Sequence, residues 1–165
     1  MIRTRRHHRA AALAAAAVAL ASPAAPATRP RYTVIETDGQ RAVHDAATGL
    51  TWQQQSTSGT TDWAHALAHC ETLEWAGWND WRLPDIVELS TLVDERKSAA
   101  PAINTVFFPG FDAGAGYWSS TTARNNPGSA YVLYFNEQNA TVGRGGTSAI
   151  NKTATMRSLC VRDDS

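Results

Sequence analysis

Trp78-Asn79-Asp80-Trp81-Arg82-Leu83-Pro84 is the stretch from which the fold of this chain is predicted. Three further landmarks of aromatic and apolar residues stand around it in the chain: Thr48-Gly49-Leu50-Thr51-Trp52-Gln53, Tyr117-Trp118-Ser119-Ser120-Thr121-Thr122 and Ser158-Leu159-Cys160-Val161-Arg162. None of them carries a recognisable catalytic arrangement. We interpret them as packing anchors in a domain with much irregular backbone, which favours a binding module over an enzyme.

The first 21 residues are predicted to be a signal peptide. Met1–Ala10 contains four arginines, and the apolar run Ala11–Ala21 that follows is too short for a mature membrane span. No cysteine follows that run directly, so a lipid anchor is not expected. Residues 22–31 are predicted to be a linker rich in proline and alanine, which leaves one domain over residues 32–165. We expect this domain to be periplasmic or extracellular, without a transmembrane segment.

Cys70 and Cys160 are the two cysteines of the chain. A single pair in an exported protein is typical of a disulfide. Two free buried thiols are the alternative, and neither cysteine stands in a motif of a catalytic thiol.

Charge is distributed unevenly along the chain. The 15 basic and 15 acidic residues balance formally, but four of the arginines belong to the predicted signal peptide. Residues 32–112 are strongly acidic, whereas residues 113–162 contain one acidic residue, Glu137, and these basic ones: Arg124, Arg144, Lys152, Arg157 and Arg162. This C-terminal third is predicted to carry an anion-facing surface, the alternative being that its charges lie on different faces.

Apolar periodicity predicts two helices followed by short strands, which is an α+β fold. The first helix is expected to begin after an N-cap at Thr60 or Thr61 and to reach Leu73. The second is expected to begin at Pro84-Asp85, where the aspartate can cap it, and to keep an apolar face as far as Val93.

Strands are predicted at residues 32–35 (an edge strand), 42–45, 50–53, 117–122, 130–135, 140–142 and 155–162. Asp38-Gly39 and Asn136–Asn139 are predicted turns. Gly143–Lys152 is predicted to be a polar, glycine-rich loop.

The ordered landmarks resemble the Lcl C-terminal domain family, named after the Legionella collagen-like adhesin. The resemblance covers about Asp45 to Arg162. Besides the landmarks it includes these segments: Ala66-Leu67-Ala68-His69-Cys70, Glu88-Leu89, Val93-Asp94, Pro101-Ala102-Ile103-Asn104 and Phe108-Pro109.

The resemblance implies a C-type-lectin-like fold, with two helices packed on small antiparallel sheets. It also implies a disulfide between the first helix and the last strand, in agreement with Cys70 and Cys160. The family adhesin is associated with binding of sulfated polysaccharides and with trimerisation. This chain has no collagen Gly-X-Y repeat, so trimerisation is not carried over.

Three patterns suggest metal sites, and each is interpreted otherwise. Trp78-Asn79-Asp80 matches a calcium- and sugar-binding tripeptide of calcium-dependent lectins, but it stands between the helices and is predicted to be a tight turn. His65 and His69 are spaced i, i+4, but Ala66 replaces the glutamate of a zincin. The remaining pattern is a set of acidic residues without EF-hand spacing: Asp85, Glu88, Asp94, Glu95 and Asp112. No cofactor is predicted, and a structural calcium ion is left as an alternative that no motif supports.

The predicted ligand-binding surface lies in the C-terminal third. Asparagine and tyrosine supply hydrogen bonds and rigid aromatic area, while arginine and lysine pair with sulfate or phosphate. The predicted residues are Arg124, Asn125, Asn126, Tyr131, Tyr134, Asn136, Asn139, Arg144, Asn151 and Lys152. A solvated sheet and loop without a ligand is the alternative.

The sequence thus predicts an exported, non-enzymatic module whose partner is a polyanionic or sulfated glycan or a cell-surface protein, and not nucleic acid. One alternative is a display scaffold for protein ligands, of the diversity-generating type. Another is an enzyme on a fold like that of the formylglycine-generating enzymes, which fold-level analogy alone supports.

Overall fold

The computed structural model describes residues 29–97, 99–136 and 146–164. These residues form two helices and two antiparallel sheets, so the predicted α+β class is confirmed. The predicted signal peptide and most of the predicted linker lie outside the described residues. In chain order the elements are β1 Tyr32–Thr37, β2 Gln40–Asp45, β3 Leu50–Gln53, α1 Trp63–Glu71, α2 Ile86–Ser90, β4 Gly116–Thr122, β5 Ser129–Tyr134, β6 Gly146–Asn151 and β7 Val161–Asp163.

The first sheet has the strand order β1-β2-β3-β7, with β1 at its edge as predicted. β1 and β2 join at the predicted turn Asp38-Gly39, where φ is 51° and 76°. Two successive positive φ angles are the backbone of a type I′ hairpin turn, which Asp-Gly favours. β3 lies inside the sheet and all of its residues are buried, so even the amide of Gln53 is enclosed.

The second sheet has the order β4-β5-β6, and β5 pairs with β6 along its whole length. The predicted loop over residues 143–152 is therefore wrong for Gly146–Asn151. This edge strand is held by backbone hydrogen bonds to β5, and its composition carries no strong apolar alternation from which a strand could be predicted. The predicted strand over residues 140–142 and most of the predicted turn at Asn136–Asn139 lie outside the described residues.

Both helices are shorter than predicted. The N-cap of α1 is Asp62 rather than a threonine, and its carboxylate accepts the backbone N–H of His65 at 3.0 Å. α2 begins after the predicted cap Asp85, which forms a capping box with Glu88. α2 ends at Ser90, so Leu92 and Val93 pack from the turn that follows it.

The four landmarks converge on the last strand and the segment before it. Val161 lies opposite Trp52 and exchanges backbone hydrogen bonds with Arg82 at 2.8 and 2.9 Å. The backbone N–H of Trp118 donates to the carbonyl of Arg157 at 2.9 Å. The predicted closing strand over residues 155–162 is thereby corrected, since Met156 and Arg157 make only isolated bridges and the strand β7 is Val161–Asp163.

Two buried clusters flank the second sheet. The first cluster contains Leu133 together with Trp52 and Phe108, and the second contains Val132 together with Trp118. Adjacent residues of a strand point to opposite faces, so both faces of β5 are covered. The core therefore includes both faces of this strand.

The predicted disulfide between Cys70 and Cys160 is confirmed, with the two Cα atoms 5.5 Å apart. It lies in the second cluster and joins the last turn of α1 to the residue before β7. The helix is therefore linked covalently to the first sheet.

Candidate functional site

The structure divides the predicted ligand-binding residues between the two ends of the second sheet. Asn151 lies opposite Ser129, so it belongs to the end at which β4 turns into β5. Tyr134 lies opposite Gly146 at the other end, and Asn136 follows it. Asn139 and Arg144 lie outside the described residues. The residues brought together at the first end are Arg124, Asn125, Asn126, Asn151 and Lys152, and we call this group the cationic sheet end.

Lys152 is held in place by two contacts of its ammonium group. Its Nζ lies 3.8 Å from the centroid of the Trp63 ring and 2.8 Å from Thr122 Oγ1. A cation over an aromatic face is attracted by the ring quadrupole. The charge is thus positioned by α1 and β4 before any ligand arrives.

Arg124 differs from six other arginines among the described residues. It is exposed, and no carboxylate among the described residues lies within salt-bridge distance of it. The following arginines each pair with a carboxylate: Arg31, Arg41, Arg82, Arg96, Arg157 and Arg162. The cationic sheet end therefore presents a guanidinium group whose charge the described residues leave unneutralised.

The asparagines at the cationic sheet end have different structural roles. Asn126 Oδ1 accepts the backbone N–H of Gly128 at 3.1 Å, and Asn151 Oδ1 accepts that of Thr153 at 2.9 Å. Both carbonyl groups therefore stabilise turns, as asparagine commonly does. Asn125 is exposed in the turn between β4 and β5.

The two predicted tyrosines lie on opposite faces of β5, because they are three residues apart. Tyr134 packs against the second cluster, and burial raises the pKa of its hydroxyl. Asn136 Oδ1 is buried without a hydrogen-bond partner among the described residues. These side chains do not join the cationic sheet end.

A concave surface that the sequence did not predict as a site lies beside α1. It has a volume of about 600 Å³, and its walls are Gln53, residues 55–61, the histidines His65 and His69, and Trp75. We call it the α1 cleft. The run Gln53-Gln54-Gln55-Ser56-Thr57-Ser58-Gly59-Thr60-Thr61 is the signal that could have revealed it, because nine small or polar residues join a buried strand to an amphipathic helix.

The two histidines of α1 have different surroundings. His65 Nδ1 lies 2.8 Å from Asp62 Oδ1, and its ring is largely exposed. His69 Nε2 is buried and has no hydrogen-bond partner among the described residues. The i, i+4 spacing therefore places both imidazoles along the α1 cleft.

Another concave surface, of about 550 Å³, lies beside β1. Its charged groups are already paired: Arg31 binds the buried carboxylate of Asp45, and Arg96 lies 3.0 Å from Asp94. Burial raises the pKa of Tyr32 in its wall to about 12. This surface offers few free polar groups, and we do not assign a ligand to it.

The family model of the Lcl C-terminal domain matches residues 41–162. The chain belongs to the Lcl C-terminal domain family. Membership indicates an adhesin-like surface module with a binding partner. Among curated proteins no match was found. The finer expectation that the Lcl C-terminal domain is C-type-lectin-like stays a prediction.

The patterns that suggested metal sites have structural partners in this Lcl C-terminal domain. Asp80 of the Trp78-Asn79-Asp80 tripeptide binds Arg162 at 2.7 Å, and that guanidinium lies 4.7 Å from the ring centroid of Trp78. The tight turn predicted at Trp78-Asn79-Asp80 lies before that tripeptide instead: Ala76 and Gly77 form it, with φ angles of 52° and 85°, and Trp75 pairs with Trp78 across it.

The acidic residues are also engaged, with Asp85 capping α2, Glu88 bound to Arg82 and Asp112 bound to Arg157. In residues 29–97, 99–136 and 146–164, no three histidine, cysteine or acidic side chains group together as metal ligands do. A search of the same residues finds no helix with the length and apolarity that a bilayer crossing requires.

Proposed function

We propose that this Lcl C-terminal domain is an exported, non-enzymatic adhesive module that binds sulfated or otherwise polyanionic glycans through the cationic sheet end. The observation that carries the proposal is the pair Arg124 and Lys152, two cations at one end of the sheet without a carboxylate partner among the described residues. The guanidinium group can hold a sulfate through two hydrogen bonds, and the ammonium group adds a second point charge.

The charge of the rest of the domain supports this assignment. Residues 32–112 are acidic overall and repel polyanions, whereas residues 113–162 are basic. A polyanion is therefore attracted mainly to the C-terminal third, which contains the cationic sheet end.

The state of the cysteines supports a non-enzymatic role. Cys70 and Cys160 are joined, and the described residues contain no free thiol. Chemistry of the formylglycine-generating type needs reactive thiols to hold a metal, and a buried disulfide does not supply them. Titration of free thiols in the native full chain checks this point: no reactive thiol is expected, and one reactive thiol per chain would restore the enzyme alternative.

The test is binding of the full chain to an array of sulfated and neutral glycans, at low and high salt and with and without chelator. We expect binding to sulfated glycans that resists chelator and weakens with salt. The double variant Arg124→Gln/Lys152→Met should weaken it by about tenfold or more. Lys97→Met is the matched control, because Lys97 is also a cation without a carboxylate partner and its Nζ contacts Thr105.

Two results would contradict the proposal. Equal loss of binding in the control would show a general charge effect rather than a site. Absence of sulfated-glycan binding at low salt would leave a protein ligand as the partner, which is the display-scaffold alternative.

A further inference from the structure

We propose that the α1 cleft is a second ligand site, which binds a neutral polyhydroxylated molecule such as a hexopyranose unit. This inference does not rest on the cationic sheet end, and it concerns a different class of ligand. It rests on unpaired buried polar atoms, a fixed rim and the chemical character of the walls.

Buried polar atoms without partners concentrate around the cleft. Gln53 Oε1 and His69 Nε2 belong to residues of its walls, and Arg157 Nε and Ser158 Oγ belong to residues that hydrogen-bond Thr57 on its rim. They are four of the six such side-chain atoms found among the described residues. Buried polar groups are nearly always hydrogen-bonded, so a concentration of exceptions indicates a place where a polar molecule completes the bonding.

Among these residues, Gln53 gives the strongest evidence for a ligand site. The residue is 8% exposed and lies in the buried strand β3, and its side-chain Oε1 has no hydrogen-bond partner within the described part of the chain. Enclosing an amide without a partner costs about 1–3 kcal/mol. A ligand hydroxyl that bonds this amide would recover that cost, which makes Gln53 a recognition residue rather than a packing residue.

The rim of the cleft is fixed before binding. The carbonyl of Thr57 accepts a hydrogen bond from Arg157 at 2.6 Å, and its backbone N–H donates to Ser158 at 3.0 Å. Thr61 exchanges two backbone bonds with Met156, and its carbonyl also accepts the indole N–H of Trp118 at 2.9 Å. A preformed rim lowers the entropic cost of binding a small ligand.

The walls select for a neutral ligand. The described residues that line the cleft carry amides, hydroxyls, imidazoles and one indole, and none of them carries a carboxylate, ammonium or guanidinium group. The guanidinium group of Arg157 lies outside this lining, where it bonds the rim carbonyls of Thr57 and Ser58. Amides and hydroxyls both donate and accept hydrogen bonds, as sugar hydroxyls do. Trp75 adds an apolar surface, and its orientation is set by the bond from its indole N–H to the carbonyl of Arg41 at 2.8 Å.

The size of the cleft agrees with this ligand class. Small-molecule sites commonly have volumes of about 300–1,000 Å³, and the α1 cleft lies within that range. We infer space for one or two pyranose rings.

The test is saturation-transfer NMR on the full chain with the methyl glycosides of glucose, galactose, mannose and N-acetylglucosamine. At least one should bind, with an affinity that neither high salt nor chelator changes. Gln53→Met should weaken that binding by about tenfold, the effect of one lost hydrogen bond. Its thermal midpoint should stay the same or rise, because the substitution removes an unpaired polar group and keeps its volume.

Gln54→Met is the matched control, because Gln54 is equally buried and lies outside the cleft. His69→Phe should weaken binding as well, whereas Glu71→Gln on the same helix should not. Arg124→Gln/Lys152→Met should leave glycoside binding unchanged, so failure of this inference and failure of the proposed function are separable.

Three outcomes would overturn the inference. One is that no glycoside binds at millimolar concentration. Another is that Gln53→Met binds as well as the unsubstituted chain, or unfolds at a lower temperature than Gln54→Met. The third is that chelator abolishes binding, which would mean that a metal held by the histidines is the ligand.

Discussion

The α1 cleft and the cationic sheet end differ in the forces through which each would recognise a ligand. The cleft is concave and uncharged, and its key amide is withdrawn from water. The sheet end is formed by exposed turn residues, and its attraction is coulombic. Salt screens exposed charges strongly and enclosed hydrogen bonds little. High salt should therefore weaken binding at the cationic sheet end and leave binding in the α1 cleft unchanged.

The two regions are connected through the start of α1. The backbone N–H of Trp63 donates to the carbonyl of Lys152 at 3.1 Å, and its indole N–H donates to the carbonyl of Ser119 at 2.9 Å. Trp118, next to Ser119, bonds the cleft rim at Thr61. Changes on β4 can therefore reach both regions, and the following predictions ask how far each change spreads.

The largest effect is expected from removal of the disulfide. Cys70→Ala/Cys160→Ala opens a covalent loop of 90 residues, which should lower the free energy of unfolding by about 4 kcal/mol. Urea unfolding under non-reducing conditions measures this loss. Because Cys70 follows His69 on α1, glycoside binding should weaken in the folded variant while sulfated-glycan binding persists. Loss of both activities in still-folded protein would show that the regions form one unit.

Trp118→Phe should have the next largest effect. The substitution removes the indole N–H that bonds the carbonyl of Thr61, inside a fully buried cluster. We expect the free energy of unfolding, measured by thermal unfolding, to fall by about 2 kcal/mol. Glycoside affinity should fall together with stability, because the rim of the α1 cleft loses the hydrogen bond that holds Thr61. If stability falls while glycoside affinity stays constant, the rim is held by its backbone bonds alone.

Acid should weaken the domain through Glu88, which belongs to neither region. Two hydrogen bonds from Arg82, each 2.7 Å long, hold the pKa of the Glu88 carboxyl below its usual range. A carboxyl whose folded pKa is lowered stabilises the fold above its unfolded pKa of about 4 and loses that contribution as the pH falls through the folded value.

The measurement for Glu88 is urea unfolding at pH 6 and in the acid range. Glu88→Gln should cost about 1 kcal/mol at pH 6 and progressively less in acid, since it removes the charge but keeps an oxygen for the capping box. The ratio of the two binding affinities at pH 6 should not change. A change in that ratio would show coupling through α2.

The smallest stability effect is expected for Lys152→Met. It removes a cation over the Trp63 ring, worth about 0.5–1 kcal/mol at an exposed position, and keeps the aliphatic stem. In thermal unfolding the midpoint should fall slightly, and the salt dependence of sulfated-glycan binding should become shallower. Unchanged salt dependence would remove Lys152 from the binding surface.

Several features followed from local sequence signals. The Asp38-Gly39 turn and the Asp85 cap were predicted because backbone conformation and capping depend on a few adjacent residues. The cap of α1 was misplaced by one or two positions, since Thr60, Thr61 and Asp62 are all suitable caps. β6 was not predicted, because the strand Gly146–Asn151 is held by backbone pairing with β5. Such pairing does not require alternating apolar residues, so the sequence of the strand shows no such pattern.

The candidate sites were less predictable than the fold. Arg124 and Lys152 were predicted from charge, but their closeness depends on the register that sets Asn151 opposite Ser129. The division of Tyr131 and Tyr134 between two faces followed from strand periodicity, whereas the covering of both faces did not. The α1 cleft was not predicted, because a polar run before a helix is more often an ordinary connection.

By itself the sequence determined the family, the α+β class and the pairing of its only two cysteines. These depend on the order of residues and on short-range chemistry, both of which are visible along the chain. Tertiary structure alone decided that Gln53 Oε1 is enclosed without a partner among the described residues, that Thr57 and Thr61 are hydrogen-bonded to residues 156–158, and that Lys152 lies over the Trp63 ring. The physical reason is that burial and hydrogen bonding between distant segments depend on packing in three dimensions, which polar residues in loops leave almost unmarked in the sequence.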